Sequence, residues 1–233
     1  YHIWDLVTDN NIDITPMLVG SEGTLALVSE ATLQLTPLPE MALSGFVYFD
    51  DLGKVGEATQ EILAEGPSMI EIMEKHILDL AREQKPELAE YFPENTEASL
   101  FIEFQEDSAE LLQEKFASVR RRLLDDKDLA VSVVQARNRQ DMATFTKVRS
   151  ISGPILNRMK GPRRPIAFIE DAAVHVSRLP EYISGLRALF EKFNVKAAIY
   201  GHAGDGNLHN MAILDLRQPE DVKTMLDLAD AVC

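Results

Sequence analysis

Residues 201–209 read Gly-His-Ala-Gly-Asp-Gly-Asn-Leu-His, with His202 and His209 flanking a Gly-Asp-Gly-Asn turn. Imidazole nitrogens bind zinc and other first-row divalent ions, so the turn decides whether the two rings can act together. Asp205-Gly206 is a dipeptide that tight hairpins favour, and placing it at the centre sets the pairing. Gly204 then faces Asn207, Ala203 faces Leu208, and His202 faces His209. Directly opposed residues hold their Cβ atoms about 4.5–5.5 Å apart on one sheet face. Two imidazoles so held can share one ion, and the same spacing also fits a surface hairpin with two incidental histidines. In this register Asn207 shares a face with His209, within reach of a metal ligand or a substrate. Gly204, Asp205 and Gly206 serve the turn itself. The segment is not the phosphate-binding GxGxxG, because its third glycine position is His209.

The elements that must carry this hairpin alternate along the chain. A strand is expected over Thr24–Leu35, stopped by Pro37 and Pro39, and the Pro-Leu-Pro-Glu segment reads as a domain boundary. Beyond it, strands are expected at Leu43–Phe49, Ser68–Met73, Ala98–Phe104, Ala130–Gln135, Ile166–Val174, Lys196–His202 and Asn207–Leu214. Helices are expected at Leu52–Glu65, His76–Gln84, Ser108–Leu124, Arg139–Ile151, Leu179–Phe193 and from Pro219. In Ser108–Leu124 the apolar Leu111, Leu112, Phe116, Val119 and Leu123 recur at helical spacing. This order fits an α+β sheet or a doubly wound parallel fold. Apolar–polar alternation in Ser99–Phe104 and the lack of a dinucleotide fingerprint favour the former.

The 233 residues carry 45% hydrophobic and 26% charged side chains, ordinary values for a globular domain. A net charge of −15 argues against nucleic-acid binding, although a few arginines in a pocket can still hold an anion. No apolar run reaches the roughly 20 residues of a membrane helix. One cysteine, Cys233, excludes an intrachain disulfide. A reducing, cytoplasmic setting is expected.

Three motifs together carry a family resemblance. Besides the nonapeptide, Gly20-Ser-Glu-Gly-Thr-Leu25 runs through Ser29-Glu-Ala-Thr-Leu33 to Thr36-Pro-Leu-Pro39, and Ile169-Glu-Asp-Ala-Ala-Val174 precedes Ser177-Arg-Leu-Pro-Glu181. In this order they resemble the C-terminal domain of FAD-linked oxidases of the vanillyl-alcohol oxidase superfamily. That group includes D-lactate dehydrogenases, the flavin subunit of glycolate oxidase and D-2-hydroxyglutarate dehydrogenases. The resemblance implies a mostly antiparallel sheet of two ferredoxin-like units with helices on one face, although no sequence repeat shows the duplication. It implies residues 1–40 as the end of an FAD-binding domain and 41–233 as the substrate domain, with family segments expected on either side. A Glu-His-Gly segment supplying a further metal ligand and the base is expected after Cys233, and the FAD-gripping glycine loop before Tyr1. The stretch alone is then expected not to retain FAD.

The implied activity is flavin-dependent oxidation of a 2-hydroxy acid, with electrons passing to a quinone or an acceptor protein. That acceptor could place the protein at a membrane periphery. The resemblance makes His202 and His209 ligands of a divalent metal, expected to be zinc, and puts Gly20, Ser21, Glu22, Gly23 and Thr24 against the FAD. Arg149 becomes the carboxylate-binding residue, since its planar fork matches a carboxylate in two hydrogen bonds. Asn207, by the hairpin register and not by the resemblance, is the other candidate substrate contact. Gly153 and Ile169 stand where hydroxyglutarate-type members carry threonine and lysine, so Lys160, Arg163 or Arg164 are considered for replacement charge. Glu170 and Asp171 could ligate metal or orient a histidine, while His175, His2 and His76 read as local or structural. The other functional reading is a non-catalytic assembly subunit of the same fold; retention of both hairpin histidines weighs against it. A two-histidine metallohydrolase lacks a third ligand and a base. A homodimer is a further expectation.

Overall fold

The computed structural model describes all residues except His2, Asp5, Asp9 and Cys233, so the expectations for His2 and Cys233 lie outside the described residues. The chain divides at Leu38/Pro39 into two compact units. In the first, β1 (Val7–Thr8) pairs antiparallel with β2 (Asn11–Ile12), and α1 (Thr15–Val19) carries Pro16 in its first turn. The strand expected over Thr24–Leu35 is not formed: residues 26–39 follow an irregular path. A strand needs a neighbour for its N–H and C=O groups, and among the described residues this stretch pairs with none. Its aliphatic side chains are correspondingly bare, Leu27 at 95% and Leu35 at 87% exposure.

The second unit runs β3 (Met41–Phe49), α2 (Val55–Leu63), β4 (Met69–Glu74), α3 (Lys75–Gln84), β5 (Ala98–Glu106), α4 (Ala109–Arg120), β6 (Ser132–Gln135), α5 (Arg139–Arg149) and α6 (Ser152–Asn157). It continues with β7 (Arg164–Ala167), β8 (Ala172–Ala173), α7 (Leu179–Lys192), β9 (Ala197–His202), β10 (Asn207–Leu214) and α8 (Pro219–Val232). These strands form one sheet in the order β6-β3-β5-β4-β9-β10-β7, with β8 also against β10, and every recorded pairing is antiparallel. The segment β3-α2-β4-β5-α4-β6 in the order β6-β3-β5-β4 is a complete ferredoxin-like unit. The segment β7-α7-β9-β10 repeats its first three strands, and the two units join where β4 meets β9. The α+β, mostly antiparallel fold is as expected.

Register separates the two faces. Val47, Leu100, Ile72, Gly201 and Leu208 lie in one row across β3, β5, β4, β9 and β10. Tyr48, Ser99, Met73, Tyr200 and His209 form the neighbouring row, whose side chains point the other way. The first face is packed under helices. A Cβ on Gly45 would meet the Phe116 ring of α4 at 2.6 Å, and the Tyr182 hydroxyl of α7 lies 3.1 Å from Asn210 Nδ2. α2 packs so tightly on α7 that a Cβ on Gly56 would stand 2.5 Å from Pro180. On the other face α5 covers the β3 end, with the Phe145 ring 5.1 Å from that of Phe46. A helix pair, α5 and α6, thus shelters part of this face and leaves a cleft over β4, β9 and β10.

Two expected elements are broken. The helix over Arg139–Ile151 stops at Arg149 and resumes as α6 from Ser152, with Pro154 in its first turn, where its missing N–H is tolerated. The strand over Ile166–Val174 is interrupted at 168–171. There Asp171 takes φ +60°, a left-handed conformation that ends pairing.

Candidate functional site

The hairpin is wider than a two-residue turn. Residues 203–206 form the connection, a 3-10 turn over Ala203–Asp205 followed by Gly206 at φ +69°. The register is His202 to Asn207, Gly201 to Leu208 and Tyr200 to His209, so the direct opposition of His202 and His209 is corrected by two residues. The cause is the β8 segment lying across the turn. Gly206 O accepts from Val174 N at 3.0 Å, and a Cβ on Gly206 would sit 2.0 Å from Val174 O. A two-residue shift conserves the face because side chains alternate with period two. His202 and His209 are therefore diagonal neighbours, their rings 5.4 Å apart and edge to face. Asn207 shares that face, as expected.

A cleft of about 250 Å³ opens here, lined among others by Glu71, Arg149, Ser152, Tyr200, His202 and His209. Arg149, at the C-terminal end of α5, grips Glu71 of β4 in a fork: Nε donates to Oε2 at 2.7 Å and Nη2 donates to Oε1. Glu71 Oε1 also lies 3.0 Å from His202 Nδ1. The Glu71 carboxylate therefore joins two residues that the sequence singles out separately.

His209 is the more enclosed imidazole, 18% exposed against 46% for His202. Glu170 Oε1 and Asp171 Oδ1 approach His209 Nδ1 at 3.4 and 3.5 Å. These contacts are electrostatic rather than aligned hydrogen bonds, and His209 Nδ1 stays buried without a hydrogen-bond partner. Asn207 Nδ2 donates to Asp171 O at 3.3 Å, while its Oδ1 is likewise buried and unsatisfied. Buried polar atoms without partners are uncommon and call for a ligand, ion or water. Glu170 and Asp171 are exposed in the interruption between β7 and β8, not covered on a strand. Burial, then the charges of Glu170 and Asp171, push the Tyr200 phenol above its ordinary pKa and keep it a hydroxyl donor. Among the described residues no group of three or more His, Cys, Asp or Glu is arranged to hold a metal ion. The described chain brings two imidazoles, one backed by a carboxylate, and catalytic zinc commonly needs three protein ligands.

The loop cations are elsewhere. Arg163 Nη2 donates to Asp221 of α8 at 3.0 Å and Nη1 to Ile213 O at 3.2 Å. Arg164 opens β7, paired with Leu214, and Lys160 lines a separate cavity with Leu80 and Glu83. Gly153 does line the cleft, and a Cβ there would meet open space; Ile169 is buried in the core. His175 bonds locally to Ser177, and burial lowers the pKa of His76. In the first unit Gly20–Thr24 forms a tight turn, Thr24 N donating to Ser21 O at 2.9 Å. Glu71 and Tyr200 escape a reading by motif. For Glu71 the available signal was a carboxylate set between Ile70 and Ile72 in a strand.

Residues 38–233 match the family model described as FAD linked oxidases, C-terminal domain. The chain belongs to this family. It is 28% identical over 213 residues to "Glycolate oxidase subunit GlcD" of Bacillus subtilis (strain 168), covering 91% of this chain and 43% of that protein. It is 28% identical over 232 residues to "D-2-hydroxyglutarate dehydrogenase" of Escherichia coli (strain K12), covering 94% and 23%. To "D-lactate dehydrogenase" of Archaeoglobus fulgidus it is 29% identical over 198 residues, covering 83% and 40%. The chain thus spans less than half the length of these relatives. Among solved structures, alkyldihydroxyacetonephosphate synthase superposes with a TM-score of 0.58 at 17% identity, over 95% of this chain and 45% of that one. The 4-ethylphenol oxidase from Gulosibacter chungangensis gives 0.57 at 12%, over 86% and 44%. These likenesses concern the fold, which the FAD-linked oxidase domain shares with both.

Proposed function

We propose that this FAD-linked oxidase domain forms the substrate side of an enzyme that oxidises a 2-hydroxy acid of the D-lactate, glycolate or D-2-hydroxyglutarate class to the 2-keto acid. One observation carries the reading: a guanidinium, two imidazoles and a phenol line one cleft, and on the same sheet face His209 Nδ1 and Asn207 Oδ1 are left unsatisfied. Bound FAD would take the hydride from the carbinol carbon. A divalent ion held by His202 and His209 would polarise the hydroxyl oxygen.

The chain's own residues bind and orient. Arg149 uses its Nε–Nη2 edge on Glu71, and a guanidinium has five N–H donors, so three remain for the substrate carboxylate. Asn207, already tied to Asp171 through Nδ2, offers Oδ1 as an acceptor for a hydroxyl. Tyr200 remains a donor. None of these residues is assigned the removal of the hydroxyl proton. Gly20, Ser21, Glu22, Gly23 and Thr24 are proposed as flavin-side residues, where glycine permits close backbone approach. Residues 1–40 then belong to the FAD-binding domain. The acceptor is proposed to be a quinone or a redox protein; no helix of the described residues is long and apolar enough to cross a membrane.

The test is dye-linked turnover by the complete FAD-loaded polypeptide carrying this domain, with D-lactate, L-lactate, glycolate and D-2-hydroxyglutarate. Turnover with at least one acid is expected. Tight FAD binding with no turnover on any of the four would favour the assembly-subunit reading.

A further inference from the structure

Glu71 stands at the centre of the cleft, and the reaction above gives it no part. Its strand β4 is hydrogen-bonded on both sides, to β5 and to β9, so its backbone is fixed. Its side chain is 12% exposed, less than that of Arg149 at 29% or His202 at 46%. A carboxylate is an acceptor only. Its 3.0 Å contact with His202 Nδ1 is therefore a hydrogen bond when Nδ1 carries the proton. In a neutral imidazole this leaves the lone pair on Nε2. The same carboxylate holds the Nε and Nη2 edge of Arg149, which determines which guanidinium donors stay free.

We propose that Glu71 is a positioning residue that sets the His202 tautomer and the Arg149 orientation together. It thereby ties the metal-holding and carboxylate-holding sides of the cleft to one rigid strand. The proposal rests on the reading of the cleft given above, and it adds a residue to that site. Carboxylates behind ligand histidines select the tautomer and ring orientation in the same way. Here one carboxylate would do this for a histidine and an arginine at once, so a change at Glu71 would disturb both ends of the substrate.

The experiment is long-range ¹H–¹⁵N correlation of the chain labelled at histidine, at a pH where imidazole is neutral, with the His202 signals assigned by their loss in His202→Asn. The wild-type chain is expected to show His202 protonated at Nδ1 and bare at Nε2. In Glu71→Ala the Nε2 resonance is expected to shift to the protonated range, the form imidazole prefers in water. Glu71→Gln, which keeps an acceptor oxygen in place, should retain the Nδ1–H form. His202 protonated at Nε2 in the wild type would overturn the proposal, as would an unchanged tautomer in a folded Glu71→Ala chain. If Glu71→Ala does not fold, the wild-type tautomer alone decides. Neither flavin nor substrate enters the measurement, so its failure is distinguishable from an enzyme that oxidises no 2-hydroxy acid.

Discussion

Arg149 and His209 meet different demands in the cleft. Arg149 has a partly buried carboxylate on one edge and free donors on the other, so both its charge and its shape matter. Arg149→Lys retains the charge opposite Glu71 but not the fork. It should give a folded protein whose KM for the hydroxy acid rises about 10- to 150-fold, the equivalent of a charged hydrogen bond of about 1.5–3 kcal/mol. Steady-state kinetics beside a thermal melt check this, and an unchanged KM would remove Arg149 from the substrate. His209 instead offers a buried nitrogen with no aligned partner. Zinc titrated into the chain should bind, and His209→Ala should weaken binding at least tenfold. Zinc uptake indifferent to both histidines would place any metal elsewhere.

The hairpin shows how closely the elements are fitted. Gly206 is left-handed and has the Val174 carbonyl against the position of its missing Cβ. Gly206→Ala combines a positive φ with a backbone clash, so a loss of about 2–4 kcal/mol is expected in urea unfolding. A neutral effect would mean that β8 does not press on the turn. The central elements were legible because their apolar runs are strong. In β5, Phe101 and Phe104 point to opposite faces and both are buried. This strand is covered on both sides, not on the one side that apolar–polar alternation over Ser99–Phe104 suggests. The hairpin register was not, since Asp205-Gly206 suggested a local two-residue turn and the deciding contact comes from Val174, 32 positions before Gly206. Asp171 likewise interrupts what β-propensity reads as one strand. The Thr24–Leu35 composition signals a strand, but composition cannot supply the partner that a strand needs. His202, His209 and Arg149 were legible through motifs and do meet in one cleft, with Asn207 on the same sheet face. Glu71 was not, because a carboxylate on an alternating strand ordinarily marks a solvated face.

At the scale of the whole molecule, the duplicated ferredoxin-like topology appears in strand order although no repeat is visible in the side chains, since topology constrains burial pattern rather than identity. The fold also encloses a titratable group away from the cleft. Glu74 keeps some surface exposed, yet burial around its carboxyl pushes the pKa up to about 8, against backbone N–H donors from His76, Ile199 and Ile77 that pull it down. A folded value above the ordinary 4.5 means that the folded state holds this proton longer than the unfolded chain. The stabilising effect of that proton is complete below about pH 4.5 and is lost as pH rises to about 8. Glu74→Gln, which cannot ionise, should therefore raise Tm relative to wild type at pH 8 by more than at pH 5. Equal gaps at both pH values would contradict this.

The central claim, that this domain presents a 2-hydroxy acid to a flavin, is tested most directly by anaerobic bleaching of the flavin band in the complete FAD-loaded polypeptide. The wild type and His209→Ala would each be mixed once with D-lactate, L-lactate, glycolate or D-2-hydroxyglutarate. At least one acid is expected to bleach the wild-type flavin, and His209→Ala to slow the bleaching by at least a hundredfold while retaining FAD. A flavin that stays oxidised with every acid, or one that His209→Ala leaves equally fast, would contradict it.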